Sequence, residues 1–487
     1  MSANPGVPQT APAAPAAPRA GLTPPPVWVT TLIFAALHLA LAAQLWLVQD
    51  EAYYALWATH LSPAYYDHPP MIALWIRMGE AFLGQGALAV RLVPVLGFAL
   101  VTPITAAIAR AAGGDARTAR WAALMFNCMS VPFVLGFTAT PDAPSTLFWA
   151  LATLAVLRAP GAPGRHWLLA GLWMALGVLS KLTNLFLGVA VTLWLMASPA
   201  GRQELRRPAT WAAMALAAVL LAPFLWWSAT HGWLGLARQF GRLDQPGPTH
   251  NGTLRFVTMA ILTGTPLLMW RALAASWREG GAARRLLWFS APLWLYLLVH
   301  SLGHAIQANW IVPLFPGLAV LAALGGGARH PGRALATGSA LGLSALALIL
   351  ALWPGKPIFR GDNPPNQTKG WPALTAQIHG LMAQDGATWI ATVDYGTTGA
   401  FAFALPGVPV WALTEPQRWG FRGGFPRALC DRPALLIQPR PEPHPPQSLF
   451  TEVGPTRVLE RKSGGATLES YAATEVRGLK GGPCAKD

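Results

Sequence analysis

Between Val27 and Trp353 the sequence is a succession of apolar runs parted by short, arginine-bearing gaps. A helix needs about 20 apolar residues to cross a hydrocarbon core, within a range of about 17–25. Runs near that size fall at 27–48, 89–109, 121–137, 143–157, 166–180, 184–198, 209–228, 255–275, 286–302, 308–325 and 334–353. The expected fold is therefore a polytopic α-helical membrane protein with about eleven transmembrane helices. Composition agrees: 11% of the 487 residues are charged and 53% hydrophobic, whereas a soluble domain carries about a quarter charged. A net charge of +15 would suit nucleic acid, but the arginines are scattered through the gaps instead of forming one basic face. The lipid bilayer is the expected partner, and nucleic acid is not.

Arginine placement orients the chain. With the N-terminus cytoplasmic, the inner loops hold Arg110, Arg117, Arg120, Arg158, Arg165, Arg202, Arg206, Arg207, Arg271, Arg278, Arg284, Arg285, Arg329 and Arg333. The opposite side holds only Arg77, Arg91, Lys181, Arg238, Arg242 and Arg255, which satisfies the positive-inside rule. The same layout puts Asp50, Glu51, Asp67, Glu80, Asp142 and Asp244 outside. The run Met71–Phe82 is too short to span and reads as a helix lying in the interface of a first external loop, 49–88. Residues 1–26, rich in Ala and Pro, lack the charged start, apolar core and cleavage site of a signal peptide, and read as a disordered cytoplasmic tail.

Beyond Trp353 the texture changes. Residues 354–487 read as a small α/β domain, placed outside by the odd span count, after a transmembrane catalytic domain over 27–353. Leu374, Ile378 and Leu381 predict a helix. Short β-prone runs stand at Thr388–Val393, Val408–Leu413, Ala434–Gln438 and Arg457–Arg461. Cys430 and Cys484 both fall in this domain, where they could pair or remain free thiols. The sequence has no internal repeat, Gly-rich phosphate loop or Cys/His zinc spacing.

The polar clusters all fall on the predicted external face. Gln49-Asp50-Glu51-Ala52-Tyr53-Tyr54 puts two carboxylates at the membrane edge, where they are costly unless functional or paired. They could instead simply end a helix. Tyr65-Tyr66-Asp67-His68-Pro69-Pro70 is held extended by its prolines. In Thr140-Pro141-Asp142 the carboxylate could serve a substrate or cap a helix. Lys181, the first lysine in the chain, suits a phosphate as a compact point charge or could snorkel to the headgroups. Gln307, Asn309 and Trp310 could hydrogen-bond a sugar or phosphate or simply cap the tenth span, and Tyr395 could close over the site or serve the outer domain's structure alone. Separated carboxylates and a cation on one membrane face meet the needs of sugar transfer from a lipid phosphate to a hydroxyl. A transporter or flippase for a lipid-linked or anionic solute is the rival. It would place charge at mid-membrane on broken helices, whereas here most charge sits at the edges.

These motifs, in this order, resemble the polytopic GT-C glycosyltransferases. The nearest branch includes bacterial protein O-mannosyltransferases, lipid A aminoarabinose transferases and rhizobial Rgt galacturonosyltransferases. The resemblance covers roughly 27–353, with a weaker echo from Tyr395 to Gly407. It implies an inverting transfer of one sugar from an undecaprenyl- or dolichyl-phosphate carrier to lipid A, another glycan or a protein, at the periplasmic face of a bacterial inner membrane. Asp50 would be the general base. Glu51, Asp67, His68, Lys181, Gln307, Asn309 and Tyr395 would hold the donor or its phosphate. Asp142 would share in catalysis by positioning substrate or a divalent ion. In the aminoarabinose branch Glu-Lys stands where this chain has Asp67-His68, so any phosphate role of His68 would depend on pH. Asp50, Asp67, His68 and Asp142 could together hold Mg²⁺ or Mn²⁺, though the reading does not require a metal.

Overall fold

The computed structural model describes residues 22–240, 251–278, 280–325, 332–353, 358, 363–440, 449–480 and 484. Residues 1–21 of the tail, Arg242, Asp244 and Arg329 lie outside them. The helical part runs α1 (Val27–Gln44), α2 (Gln49–Thr59), α3 (Met71–Leu83), α4 (Ala87–Ala111), α5 (Ala116–Cys128), α6 (Ser130–Leu135), α7 (Asp142–Arg158), α8 (Arg165–Val178) and α9 (Leu185–Ala197). It continues through α10 (Pro199–Leu205), α11 (Pro208–Thr230), α12 (Leu234–Phe240), α13 (Gly252–Gly264), α14 (Pro266–Arg278), α15 (Gly281–His300), α16 (Phe315–Leu324) and α17 (Gly332–Leu352).

Among the described residues, four helices are long and apolar enough to cross a membrane (α1, α4, α11, α17), or up to six spans if each bent pair counts as one. The expected runs are helical, but proline divides several. α13 and α14 meet at 98° because Pro266 cannot donate a backbone hydrogen bond into the preceding turn, and Thr265 takes a left-handed φ of 64°. α9 and α10 meet at 102°, where Ser198 caps Gly201 N at 2.9 Å and Pro199 opens the next helix. The run 121–137 is broken at Met129, which is extended. Pro132 removes the donor that would have bonded the Cys128 carbonyl, and Ser344 Oγ donates to that carbonyl instead at 2.8 Å. The run 308–325 opens with a 3₁₀ turn, Ala308–Leu314, before α16.

The C-terminal part holds α18 (Pro364–Gln367), α19 (Trp371–Asp385), β1 (Trp389–Thr392), α20 (Tyr395–Ala404), β2 (Val410–Ala412), β3 (Ala434–Pro439), β4 (Phe450–Ser463) and β5 (Ala466–Leu479). The sheet order is β2-β1-β3-β5-β4, with β1 parallel to β2 and β3, and β5 antiparallel to β3 and β4. β1 and β3 are buried almost throughout and read as continuous apolar runs, as central parallel strands do. β4 is far longer than the expected Arg457–Arg461, and β5 was not expected. β5 mixes buried with partly exposed positions, whereas β4 is exposed over most of its length, with Phe450, Leu459 and Arg461 buried. Trp371, Leu374, Ile378 and Met382 form the buried stripe of α19. Cys430 and Cys484 form a disulfide.

Two contacts fix how this domain sits. Gly399 on α20 lies so close to α2 that an added Cβ would stand 2.6 Å from Tyr53 N. Gly396 meets the Gln49 side chain in the same way. Two glycines one turn apart thus let α20 lie directly on the helix that carries Asp50.

Candidate active site

α2 opens with Asp50 and Glu51, and successive helical side chains point about 100° apart. The two carboxylates therefore face different surroundings. Glu51 is fully buried, paired with Arg91 of α4 through Nε at 2.7 Å and Nη2 at 2.5 Å. It also accepts from Ala139 N at 2.7 Å and Val48 N at 3.0 Å. Arg91 in turn donates to the carbonyl of Ala42, in the last turn of α1 where helical partners run out, and to those of Leu45 and Trp46 just beyond it. Glu51 is thus a structural clasp between α1, α2 and α4 and does not face the cavity, contrary to the donor-binding role expected of it. Its neighbour Asp50 turns into the cavity and accepts the Tyr395 hydroxyl at 3.1 Å.

Asp67 follows in the loop before α3. It accepts from Tyr53 Oη at 3.1 Å, is ion-paired with Arg418, and lies 3.9 Å from Arg238 Nε. Gln239 Nε2 donates to its carbonyl at 2.6 Å. His68 lines the same cavity, its ring edge-on to Tyr54 with centroids 6.0 Å apart.

Asp142 begins α7 and is 1% exposed. It accepts from Lys181 Nζ at 2.7 Å and Asn309 Nδ2 at 2.9 Å. Lys181 and Asn309 line the cavity, whereas Asp142 stands behind them. Its place is thus one of holding a cation and an amide in position, rather than contacting a ligand directly.

The three clusters border one cavity of about 370 Å³. Asp50, Asp67, His68, Lys181, Gln307, Asn309 and Tyr395 line it, together with Arg238 and Arg418. Leu182, Leu185, Phe186 and Val189 give it an apolar wall beside Lys181. The charges are matched pair by pair: Glu51 with Arg91, Asp142 with Lys181, Asp67 with Arg418. Among the described residues Asp50 has no cation within ion-pair distance, only the Tyr395 phenol. Partial loss of solvent around it in the cavity raises its proton affinity above the ordinary carboxylate range, although the residue remains exposed at the cavity mouth. The Tyr395 hydrogen bond opposes this, and the negative charges of Asp67, Glu51 and Asp142 add to it. A carboxylate so placed can take a proton from a hydroxyl at neutral pH.

Of the residues that could hold a divalent ion, Asp50, Asp67 and His68 share the cavity wall and Asp142 stands behind it. Among the described residues no three His, Cys, Asp or Glu side chains converge as a ligand group. Asp67 and Asp142 already face Arg418 and Lys181.

A family model described as dolichyl-phosphate-mannose-protein mannosyltransferase matches residues 67–227. The lipid A galacturonosyltransferase RgtD of Rhizobium johnstonii is 25% identical over 287 residues, 56% of this chain and 59% of that protein's length. ArnT from Cupriavidus metallidurans has a TM-score of 0.65 to this chain in its apo state, at 13% identity, over 92% of this chain and 97% of its own. Its structure bound to undecaprenyl phosphate gives a TM-score of 0.63 at 14% identity, over the same shares. The chain therefore has the fold of the ArnT structures. Two of the cavity's cations carry little signal in the sequence. Arg238 sits in the short helix α12, where it reads as one more loop arginine. Arg418 sits in a 3₁₀ turn, Pro416–Arg422, of the C-terminal domain. Its one local signal is Glu415 three residues earlier, which pairs with it at 3.0 Å.

Proposed function

We propose that this protein is an inverting glycosyltransferase that moves a single sugar from a polyprenyl phosphate, most simply undecaprenyl phosphate, to an envelope acceptor at the periplasmic face of the inner membrane. The observation that carries the reading is that Asp50, the carboxylate without a cation, shares one cavity with Lys181, Arg238 and Arg418. An acceptor oxygen attacks the anomeric carbon, forming the new C–O bond as the bond to the phosphate oxygen breaks. The bonding pair leaves on the phosphate, and the acceptor proton passes to Asp50. Cations at the departing phosphate stabilise its developing charge. The apolar wall of α9 beside Lys181 suits the first isoprene units of a carrier entering sideways. The likeness to ArnT, solved with undecaprenyl phosphate, supports the carrier, and that to RgtD supports lipid A as acceptor.

The test compares envelope lipids and glycans by mass spectrometry in cells that lack the protein, carry it, or carry Asp50→Asn. A sugar present only with the intact protein is expected, and its mass names both sugar and acceptor. Asp50→Asn is expected to lower transfer by about 10²–10⁴ while the purified variant still binds undecaprenyl phosphate. Near-normal transfer by that variant would remove the base. Altered lipid distribution with unchanged covalent composition would support the transporter instead.

A further inference from the structure

One face of α9 packs against α15. Phe186 and Trp194 meet Tyr296 and Phe289 with ring centroids 4.7 and 6.5 Å apart, and Trp288 Nε1 donates to Ala190 O at 3.0 Å. Helical spacing turns Leu185, Gly188, Val191, Thr192 and Leu195 the other way. They border a groove of about 400 Å³ whose other sides are α8 and α11. Those two helices cross closely, since an added Cβ on Gly171 would stand 2.3 Å from Ala213 O. Among the described residues no charged side chain lines the groove. Asn184, at the Lys181 end, has its amide nitrogen engaged by Ser145 Oγ at 2.6 Å, and Thr210, at the opposite end, donates to Glu204 O at 2.7 Å.

The groove continues the active-site cavity. Leu185, four residues after Lys181, lines both. Building on the polyprenyl-phosphate reading above and resting on it, we propose that this groove holds the isoprenoid tail of the donor, so that α8, α9 and α11 favour a long carrier while Lys181 faces its phosphate.

Depth favours an isoprenoid over a phospholipid acyl chain. From Thr210 to Leu225 of α11 the lining covers about 22 Å, at roughly 1.5 Å per residue. One leaflet offers about 15 Å of hydrocarbon, half of a core about 30 Å thick. An acyl chain of the outer leaflet therefore ends within the groove, whereas a carrier of many isoprene units can follow it to the far end. There Trp167 closes it, held by Nε1 donating to Glu204 Oε2 at 2.8 Å.

Lipid is as apolar as the groove, so packing, and not escape from water, has to hold a tail there. Small residues supply the close approach that packing needs: Ala170, Ala175, Ala213 and Ala217 stand on the walls. Gly188 faces open space, with nothing within 4 Å of an added Cβ. A large side chain at that position can enter the groove without displacing protein.

The test measures equilibrium binding to purified full-length protein in nanodiscs. Its probes are undecaprenyl phosphate and geranyl phosphate, which has the same phosphate on only two isoprene units. Gly188→Phe is expected to weaken undecaprenyl phosphate binding about tenfold through lost packing, with geranyl phosphate binding unchanged. Ala217→Phe, across the groove on α11, should do the same and keeps the test decisive if the first variant misfolds. Unchanged undecaprenyl phosphate affinity in a folded variant would overturn the proposal and leave the groove to bulk lipid. Equal weakening of both phosphates would overturn it as well, because the change would then lie at the phosphate end. If the wild-type protein bound neither phosphate, the carrier reading itself would fail, and the tail with it.

Discussion

The Tyr395 hydroxyl donates to Asp50 Oδ1 at 3.1 Å, joining two residues 345 positions apart in the chain. A hydrogen bond to a carboxylate favours its ionised form, so this contact opposes the rise that partial desolvation imposes on Asp50. Tyr395→Phe removes the donor and keeps the ring. The proton affinity of Asp50 then rises further, and the base is lost at a higher pH as acidity increases. The acid limb of the pH–rate profile is expected to move upward. An unmoved limb would mean that the phenol does not tune the base.

Glu51 and Arg91 form a buried ion pair with both side chains fully enclosed. Removing one partner of such a pair typically costs about 3–5 kcal/mol. Glu51→Gln should therefore lower thermal stability and yield while leaving the affinity of the surviving folded protein for undecaprenyl phosphate near normal. A fully stable variant that binds the carrier weakly would restore Glu51 to the donor site.

Lys181 and Asp142 act as one unit at 2.7 Å. Lys181→Ala is expected to weaken undecaprenyl phosphate binding about tenfold or more, as loss of a charge-assisted contact does. Asp142→Ala should weaken it as well, because Lys181 loses the group that holds it. The double variant should lose less than the two effects added, with a coupling of about 0.5–3 kcal/mol. Strict additivity in equilibrium binding would argue against shared action.

Gly399 is where α20 meets α2, and an added Cβ would press on Tyr53 N. Gly399→Leu should separate the helices at a cost of about 1–3 kcal/mol or more, withdrawing Tyr395 from Asp50. Transfer should fall sharply, and limited proteolysis should release the C-terminal domain faster. Wild-type protease resistance combined with full activity would show that the close approach is dispensable.

Much of this was legible in the sequence, but only where the signal is local. The apolar runs mark the helices, because burial of backbone polar groups in a hydrocarbon core leaves few alternatives. The run Met71–Phe82 appears as α3, β1 and β2 lie inside their expected stretches, and β3 runs one residue past its own. The proline breaks were visible as residues, but Pro94 and Pro103 lie inside an unbroken α4, so composition does not say which prolines bend a helix. β5 was missed because many of its residues are polar, and its strand state is enforced by pairing with β3 and β4.

The same division holds at the site. The motifs around Asp50, Asp67, Lys181 and Asn309 could be picked out one by one, since a charge or amide beside an apolar run is conspicuous wherever it lies. Sequence could not separate Asp50 from Glu51, adjacent letters that a helical turn sends to opposite fates. Nor could it show that Asp142 stands behind Lys181, or that Arg418 completes a cavity begun at residue 50. Residue type and spacing are properties of one stretch of chain. Direction and charge pairing arise only when distant stretches pack together, and here the choice of which carboxylate is left without a cation was made by tertiary structure.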